Sequence, residues 1–239
     1  MFRSIVLTAL GVALIAGFVL SVVQAFHVAP IIYSAEAFEI VELVEEVSHD
    51  DGHSHSHGDD AWSPEDGLER IGYTVLSNVL SALAFALLLL AGMLAAREKA
   101  KMSISLGKGV LWGLAGYATF FVMPALGLPP EIPSMEAAVL EGRQAWWMLA
   151  VVGTATGIAC AVFLPSFAKL AAVIFIGMPW LIGAPQPEVH GFLHPDADAV
   201  ATLEALQAEF ITATAIANGL FWIVLGGLSG YAAKRFIKA

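Results

Sequence analysis

YTVLSNVLSALAFALLLLAGMLAA, residues 73–96, runs from Tyr73 to Ala96 without a charged side chain and is followed at once by Arg97-Glu98-Lys99-Ala100-Lys101. Helical at 1.5 Å per residue, a stretch of that length crosses a hydrocarbon core of about 30 Å, and the charges beyond it mark where it leaves the lipid. The run is therefore read as a transmembrane helix. Its deeper polar members, Ser77, Asn78 and Ser81, are side chains it can offer to a neighbour or a path.

The rest of the chain follows the same pattern. With 58% hydrophobic residues, 13% charged residues and a mean hydropathy of +0.77, the sequence is too apolar for an ordinary soluble domain. Further spans are read at residues 4–26, 109–126, 146–164, 170–184 and 210–233. The first is opened by Arg3. Val23-Gln24-Ala25 fits a signal-peptide cleavage site, but the apolar run exceeds the roughly 7–15 residues of a signal core, so the segment is read as a retained span. In the third, Gly109, Gly113 and Gly116 let another helix approach closely. Pro124, Pro129, Pro130 and Pro133 end its pattern, and Trp146-Trp147 introduces the fourth with rings suited to the headgroup level. The fifth is short and carries Met178-Pro179 near its middle. Outside the lipid, Ile31–Val47 has helical spacing, Ser63-Pro64-Glu65-Asp66 reads as the start of the second spanning helix, and Pro185–Ala208 reads as a loop. The expected fold is all-α, a polytopic helical bundle of about six spans forming a single membrane domain over residues 1–239.

Six spans place Arg3, Arg97, Lys99, Lys101, Lys108, Lys169, Lys234, Arg235 and Lys238 on one side and Arg70 and Arg143 on the other, nine basic residues against two. By the positive-inside rule both termini are cytoplasmic. All seven histidines and every acidic residue except Glu98 then face outward. An acidic face raises the local concentration of cations arriving by diffusion.

The outer loop, residues 27–72, contains Ser-His-Asp-Asp-Gly-His-Ser-His-Ser-His-Gly-Asp-Asp at 48–60, with its histidines in segment 49–57. His53, His55 and His57 alternate, so in an extended chain they share one face at about 6.5–7 Å intervals, and His49 lies just before them. Neutral imidazole and carboxylate suit borderline divalent metals such as Zn, Ni and Co. The plainer alternative is a solvated polar loop that binds metal as any His-rich tract does. His190 and His194, with Asp196 or Glu188 nearby, form a second candidate group, although Pro187 and Pro195 argue for a loop there. Gln24, His27, Glu36, Asn78 and Asn218 are the candidate pathway residues. Amides in a bundle also serve helix association, and polar groups at span ends are commonly interfacial. Met123-Pro124 and Met178-Pro179 read chiefly as kinks.

No Asp, Glu, Lys or Arg stands near the middle of a span, which argues against a proton-relay pump. There is no phosphate-binding Gly-rich loop, no paired intramembrane Asp and no His-Glu-x-x-His helix, so neither a nucleotide-driven motor nor an intramembrane hydrolase is expected. The single Cys160 forms no disulfide framework. No permanently bound cofactor and no nucleic-acid partner are expected; the partners are the bilayer and a divalent metal ion. Inward movement of a doubly charged cation gains about 4.6 kcal/mol per 100 mV of interior-negative potential. Uptake is the direction that the layout favours, and a non-transporting accessory subunit is the alternative.

Several stretches resemble the CbtA family. They are Gln24-Ala25-Phe26-His27 with Pro30 and Ala35-Glu36; His55-Ser56-His57-Gly58 and Trp62-Ser63-Pro64-Glu65-Asp66-Gly67-Leu68-Glu69-Arg70; Pro124-Ala125-Leu126-Gly127-Leu128-Pro129-Pro130-Glu131; Arg143-Gln144-Ala145-Trp146-Trp147; and His194-Pro195-Asp196. The resemblance implies an integral membrane protein acting in cobalt uptake, often beside a small single-span companion, CbtB. It also implies five spans, the family's usual description, where the residues alone give six. Cobalt rather than nickel or zinc comes from the resemblance, since imidazole and carboxylate serve all three.

Overall fold

The computed structural model describes residues 2–48 and 64–237, and for residues 40–48 the backbone alone. Helix α1 spans Phe2–His27 and α2 spans Ala29–Ser48. They are followed by α3, Leu68–Ala100, and α4, Leu106–Ala125. Next come α5, Leu140–Phe163, α6, Ala171–Ile182, entered through the 3₁₀ turn Ser166–Leu170, and α7, Ala197–Phe236. No strand occurs among the described residues. The protein is a helical membrane bundle: α1, α3, α4, α5 and α7 are each long and apolar enough to cross a membrane. The apolar segment read as a fifth span forms a shorter helix, 166–182. It runs antiparallel to α5, with Gly157 against Ala172, Gly153 against Phe175, and Trp146 Nε1 donating 3.1 Å to the Pro179 carbonyl.

Three contacts fix the ends of the bundle. Ser4 Oγ donates to the Phe236 carbonyl (3.0 Å), Arg97 Nη1 donates to the Ile237 carbonyl (3.3 Å), and Ser105 abuts Gly230. The beginning of α1, the α3–α4 connection and the end of α7 thus share one end, called the lower end below. The end of α1, all of α2, the start of α3 and the start of α7 lie at the upper end.

Helix α7 is the central element and packs against α1, α2, α3 and α4. Its approach to α4 is backbone on backbone. A methyl at Gly113 would run into the Trp222 carbonyl, one at Gly226 into the Gly109 carbonyl, and one at Gly230 into the Ser105 carbonyl. Helices in lipid gain nothing from hiding apolar surface from each other, so close backbone approach, with its dense dispersion contacts, is what joins them.

Local features follow from single residues. Pro124 lacks an N–H and its ring would crowd the carbonyl four residues back, and α4 accommodates it by widening into a π turn at Ala118–Val122. α3 starts at Leu68, after Gly67 at φ 93°, rather than at the Pro64-Glu65-Asp66 stretch expected to open it. α7 starts at Ala197, so residues 197–208, expected as loop, are helical. Asp196 Oδ1 accepts from the Asp198 N–H (2.9 Å) as the cap, and Ala199 and Leu203 are buried beneath the first turns.

The α4–α7 contact yields a paired test. Gly113→Ala is expected to lower stability in detergent by about 1–3 kcal/mol or more, because it overpacks a backbone contact. Gly107→Ala, at a position with nothing within 4 Å, is expected to change it little. Thermal unfolding of the purified protein measures both, and equal effects would contradict the packing described.

Candidate functional site

At the upper end a cavity of about 600 Å³ opens between α1, α2, α3 and α7. Its polar lining comes from one face of each helix. Ser21 and Gln24 are three apart on α1, Thr74, Ser77 and Asn78 are within a turn and a half on α3, Tyr33 lies on α2 and Thr214 on α7. Asn78 Nδ2 donates to Gln24 Oε1 (2.6 Å) and to Ser21 Oγ (3.0 Å), and Ser21 Oγ donates to the Gly17 carbonyl (2.8 Å). This chain ties α3 to α1 where both enter the apolar zone. Asn78 Oδ1 has no hydrogen-bond partner among the described residues, which leaves a carbonyl oxygen for a guest.

The rim is charged. Arg70 reaches Glu36 through both nitrogens, Nη2 to Oε1 at 2.5 Å and Nη1 to Oε2 at 3.1 Å, and Nη1 also donates to Asp66 (3.0 Å). Its guanidinium lies 4.8 Å from the centre of the Tyr33 ring. Hydrogen bonding to Glu36 first and Asp66 second raises the Arg70 pKa further above its already high value, so the rim keeps a fixed positive charge locked to two carboxylates.

Below the vestibule the bundle is closed. Two helical turns under Asn78 and Thr214 stand Phe85 and Phe221, and with Phe120 and Trp222 they form an aromatic layer. Phe85 is 4.8 Å from Trp222 and 4.9 Å from Phe120, and Phe120 stacks on Trp222 at 5.6 Å and 9°. Trp222 is 2% exposed. Two turns further along α7 lies Ser229, wholly buried, its hydroxyl without a partner among the described residues.

The expected site residues fall into three groups. Gln24, Asn78 and Glu36 come together in the vestibule or on its rim. Asn218 lies one turn below Thr214 and donates to that residue's carbonyl (2.9 Å), whereas His27 is exposed and does not line the cavity. His190 is exposed in the 183–196 connection. His194 packs edge-on against Phe38 of α2 at 6.2 Å, and its Nδ1 accepts from the Asp196 N–H (3.1 Å). A neutral His194 therefore carries its proton on Nε2, and Asp196 is occupied in capping α7. Among the described residues no group of three or more His, Cys, Asp or Glu is arranged to hold a metal ion. His49, His53, His55 and His57 lie outside the described residues.

Sequence reasoning missed Ser21, Tyr33 and Arg70 as site residues. Ser21 shares its helix face with Gln24, and Tyr33 with Glu36, each pair at a spacing of three, and that spacing was the available signal. Arg70 entered the sequence reading as a charge in the topology count and as the end of the stretch 62–70, not as a site residue.

The model of a family described as probable cobalt transporter subunit (CbtA) matches residues 2–234, nearly the whole chain. No curated protein and no solved structure matches it.

The rim pair can be weighed by a double-mutant cycle of Glu36→Gln and Arg70→Gln. With both side chains about 30% exposed, a coupling of about 1 kcal/mol is expected at low salt, shrinking as salt is raised. Thermal unfolding of the four proteins measures it, and purely additive effects would mean the pair is not formed.

Proposed function

The chain belongs to the CbtA family of probable cobalt transporter subunits, and from that premise we propose that it takes up a divalent transition metal, cobalt first, from the outer face of a bacterial inner membrane. The observation that carries this reading is the vestibule. It is a cavity with a polar stripe in a largely apolar lining, at the end of the bundle to which the charge pattern assigns the outside, with Glu36 at its rim and Gln24, Asn78 and Ser21 at its base. Both termini are cytoplasmic in this reading.

Capture and passage are separate steps. His53, His55 and His57, joined by His49, are the capture ligands, with His190, His194 and Asp196 on the neighbouring loop as a lesser second group. Pro64 is in the vestibule lining, and the seven residues from His57 to it reach at most about 25 Å at 3.3–3.6 Å per residue. The ion leaves imidazole for Glu36 as Arg70 turns to Asp66, then meets the amide oxygens of Asn78 and Gln24. His27 and Asn218 flank this route above and below.

The aromatic layer favours a second reading in one respect. With Trp222 closed over the path, passage requires α7 or α4 to shift, and in the accessory reading a partner, a small single-span CbtB-like subunit for instance, provides the crossing. Nickel and zinc are the alternative cargoes, because oxygen and imidazole ligands serve all three metals.

Labelled cobalt accumulation separates these readings. Wild type is expected to raise uptake over cells lacking the protein. Asn78→Leu at matched expression is expected to abolish that gain while the purified variant still binds cobalt, and His53→Ala, His55→Ala, His57→Ala together are expected to abolish both. Full uptake by Asn78→Leu would remove the vestibule from the path, and uptake only with a companion protein would favour the accessory reading.

Ligating imidazole must be neutral, so affinity is expected to fall with pH through the ordinary histidine range near ~6.5. If two histidines ligate, the loss between pH 7.5 and 5.5 is about hundredfold. Calorimetry on the purified protein checks this, and a flat profile would exclude histidine capture.

A further inference from the structure

A groove of about 760 Å³ at the lower end, unrelated to the metal route, lies between α1 and α7. Its walls are apolar, formed by Leu7, Gly11 and Ile15 from α1 and Leu228 and Tyr231 from α7. It opens sideways, since Leu7, Ile15 and Tyr231 are more than half exposed. The bottom is fastened by Ser4 Oγ donating to the Phe236 carbonyl at 3.0 Å. Gly11 leaves the middle open, with nothing within 4 Å of where a Cβ would stand.

Depth decides what fits. From Arg3 to Ile15 the lining runs about 18 Å along α1 at 1.5 Å per residue. One leaflet of a ~30 Å hydrocarbon core is about 15 Å deep. Above Ile15 no residue of α1 lines the groove. A spanning partner helix would find a seat for only half its length. A single acyl chain finds one for all of it.

Charge decides the headgroup. Arg3 stands at the mouth and has no ion-pair or hydrogen-bond partner among the described residues. Arg235 lies 5.7 Å from the centre of the Phe236 ring, which is itself part of the lining. The one acidic residue of the sequence segments at this end, Glu98, does not line the groove. We propose that this groove is a binding site for one anionic phospholipid of the leaflet at the lower end, its acyl chain along Gly11 and its phosphate between Arg3 and Arg235.

Native mass spectrometry of the purified full chain, given phosphatidylglycerol and phosphatidylcholine with identical acyl chains, tests this. Wild type is expected to retain phosphatidylglycerol about 25-fold more than phosphatidylcholine, and Arg3→Gln or Arg235→Gln is expected to remove about fivefold of that preference each. Lys169→Gln, which takes one charge from the connection between α5 and α6, is expected to leave it unchanged. Gly11→Leu fills the groove where space is open and is expected to lower retention of both lipids. Equal retention of the two lipids by wild type overturns the proposal without recourse to any variant. A loss with Lys169→Gln equal to that with Arg3→Gln overturns it too, since general surface charge would then be the cause.

Discussion

The contact between α4 and α7 sets the position of almost everything else. Gly109, Gly113, Gly226 and Gly230 bring two backbones together where a methyl on any of them meets main-chain atoms of the other helix. Held there, α7 also receives α1, α3 and α2. Dispersion at short range does this work, since lipid tails are as apolar as the helix surfaces they replace. The vestibule and the lower groove are both left where α1 and α7 diverge from this tightly held line.

The same contact explains why the bundle is shut at mid-depth. A helix drawn in so closely cannot carry bulky residues on its gripping face, and the bulk moves to its edge. Trp222 fits beside Gly116, where a methyl would strike the indole ring, and fills the space that Phe85 and Phe120 enclose. Thr214 and Asn218 above this layer and Ser229 below it form a broken polar stripe along α7. The buried Ser229 hydroxyl is costly at roughly 1–3 kcal/mol when unpartnered, so the stripe is not what packing alone would select.

The legible parts of the sequence were those governed by local rules. The uncharged run 73–96 lies within α3, Gly109 and Gly113 meet α7, and the helical spacing of Ile31–Val47 is realised in α2 with Ile31 and Ala35 buried. Gln24, Glu36 and Asn78 were named as pathway candidates because polar groups near lipid are expensive, and that cost is visible in composition. Pairings across helices were not legible. Arg70 and Glu36 are separated by 34 positions, and nothing in either neighbourhood announces the other. The start of α7 was missed for a different reason. Pro195 and the acidic cluster at 196–198 resemble a loop until Asp196 is seen to cap the helix, with Leu203 buried beneath the first turns.

The layout separates charge from depth. Carboxylates and imidazoles strong enough to gather a scarce metal would hold it too firmly inside a low-dielectric bundle, where an attraction of a few kcal/mol in water grows severalfold. Here the acidic side chains stop at the rim, and the polar groups below it are hydroxyls and amides set among apolar side chains such as Val28, Ile32 and Phe210. Arg70 sharpens the separation. Its two terminal nitrogens hold both oxygens of the Glu36 carboxylate at the rim, away from the polar stripe below.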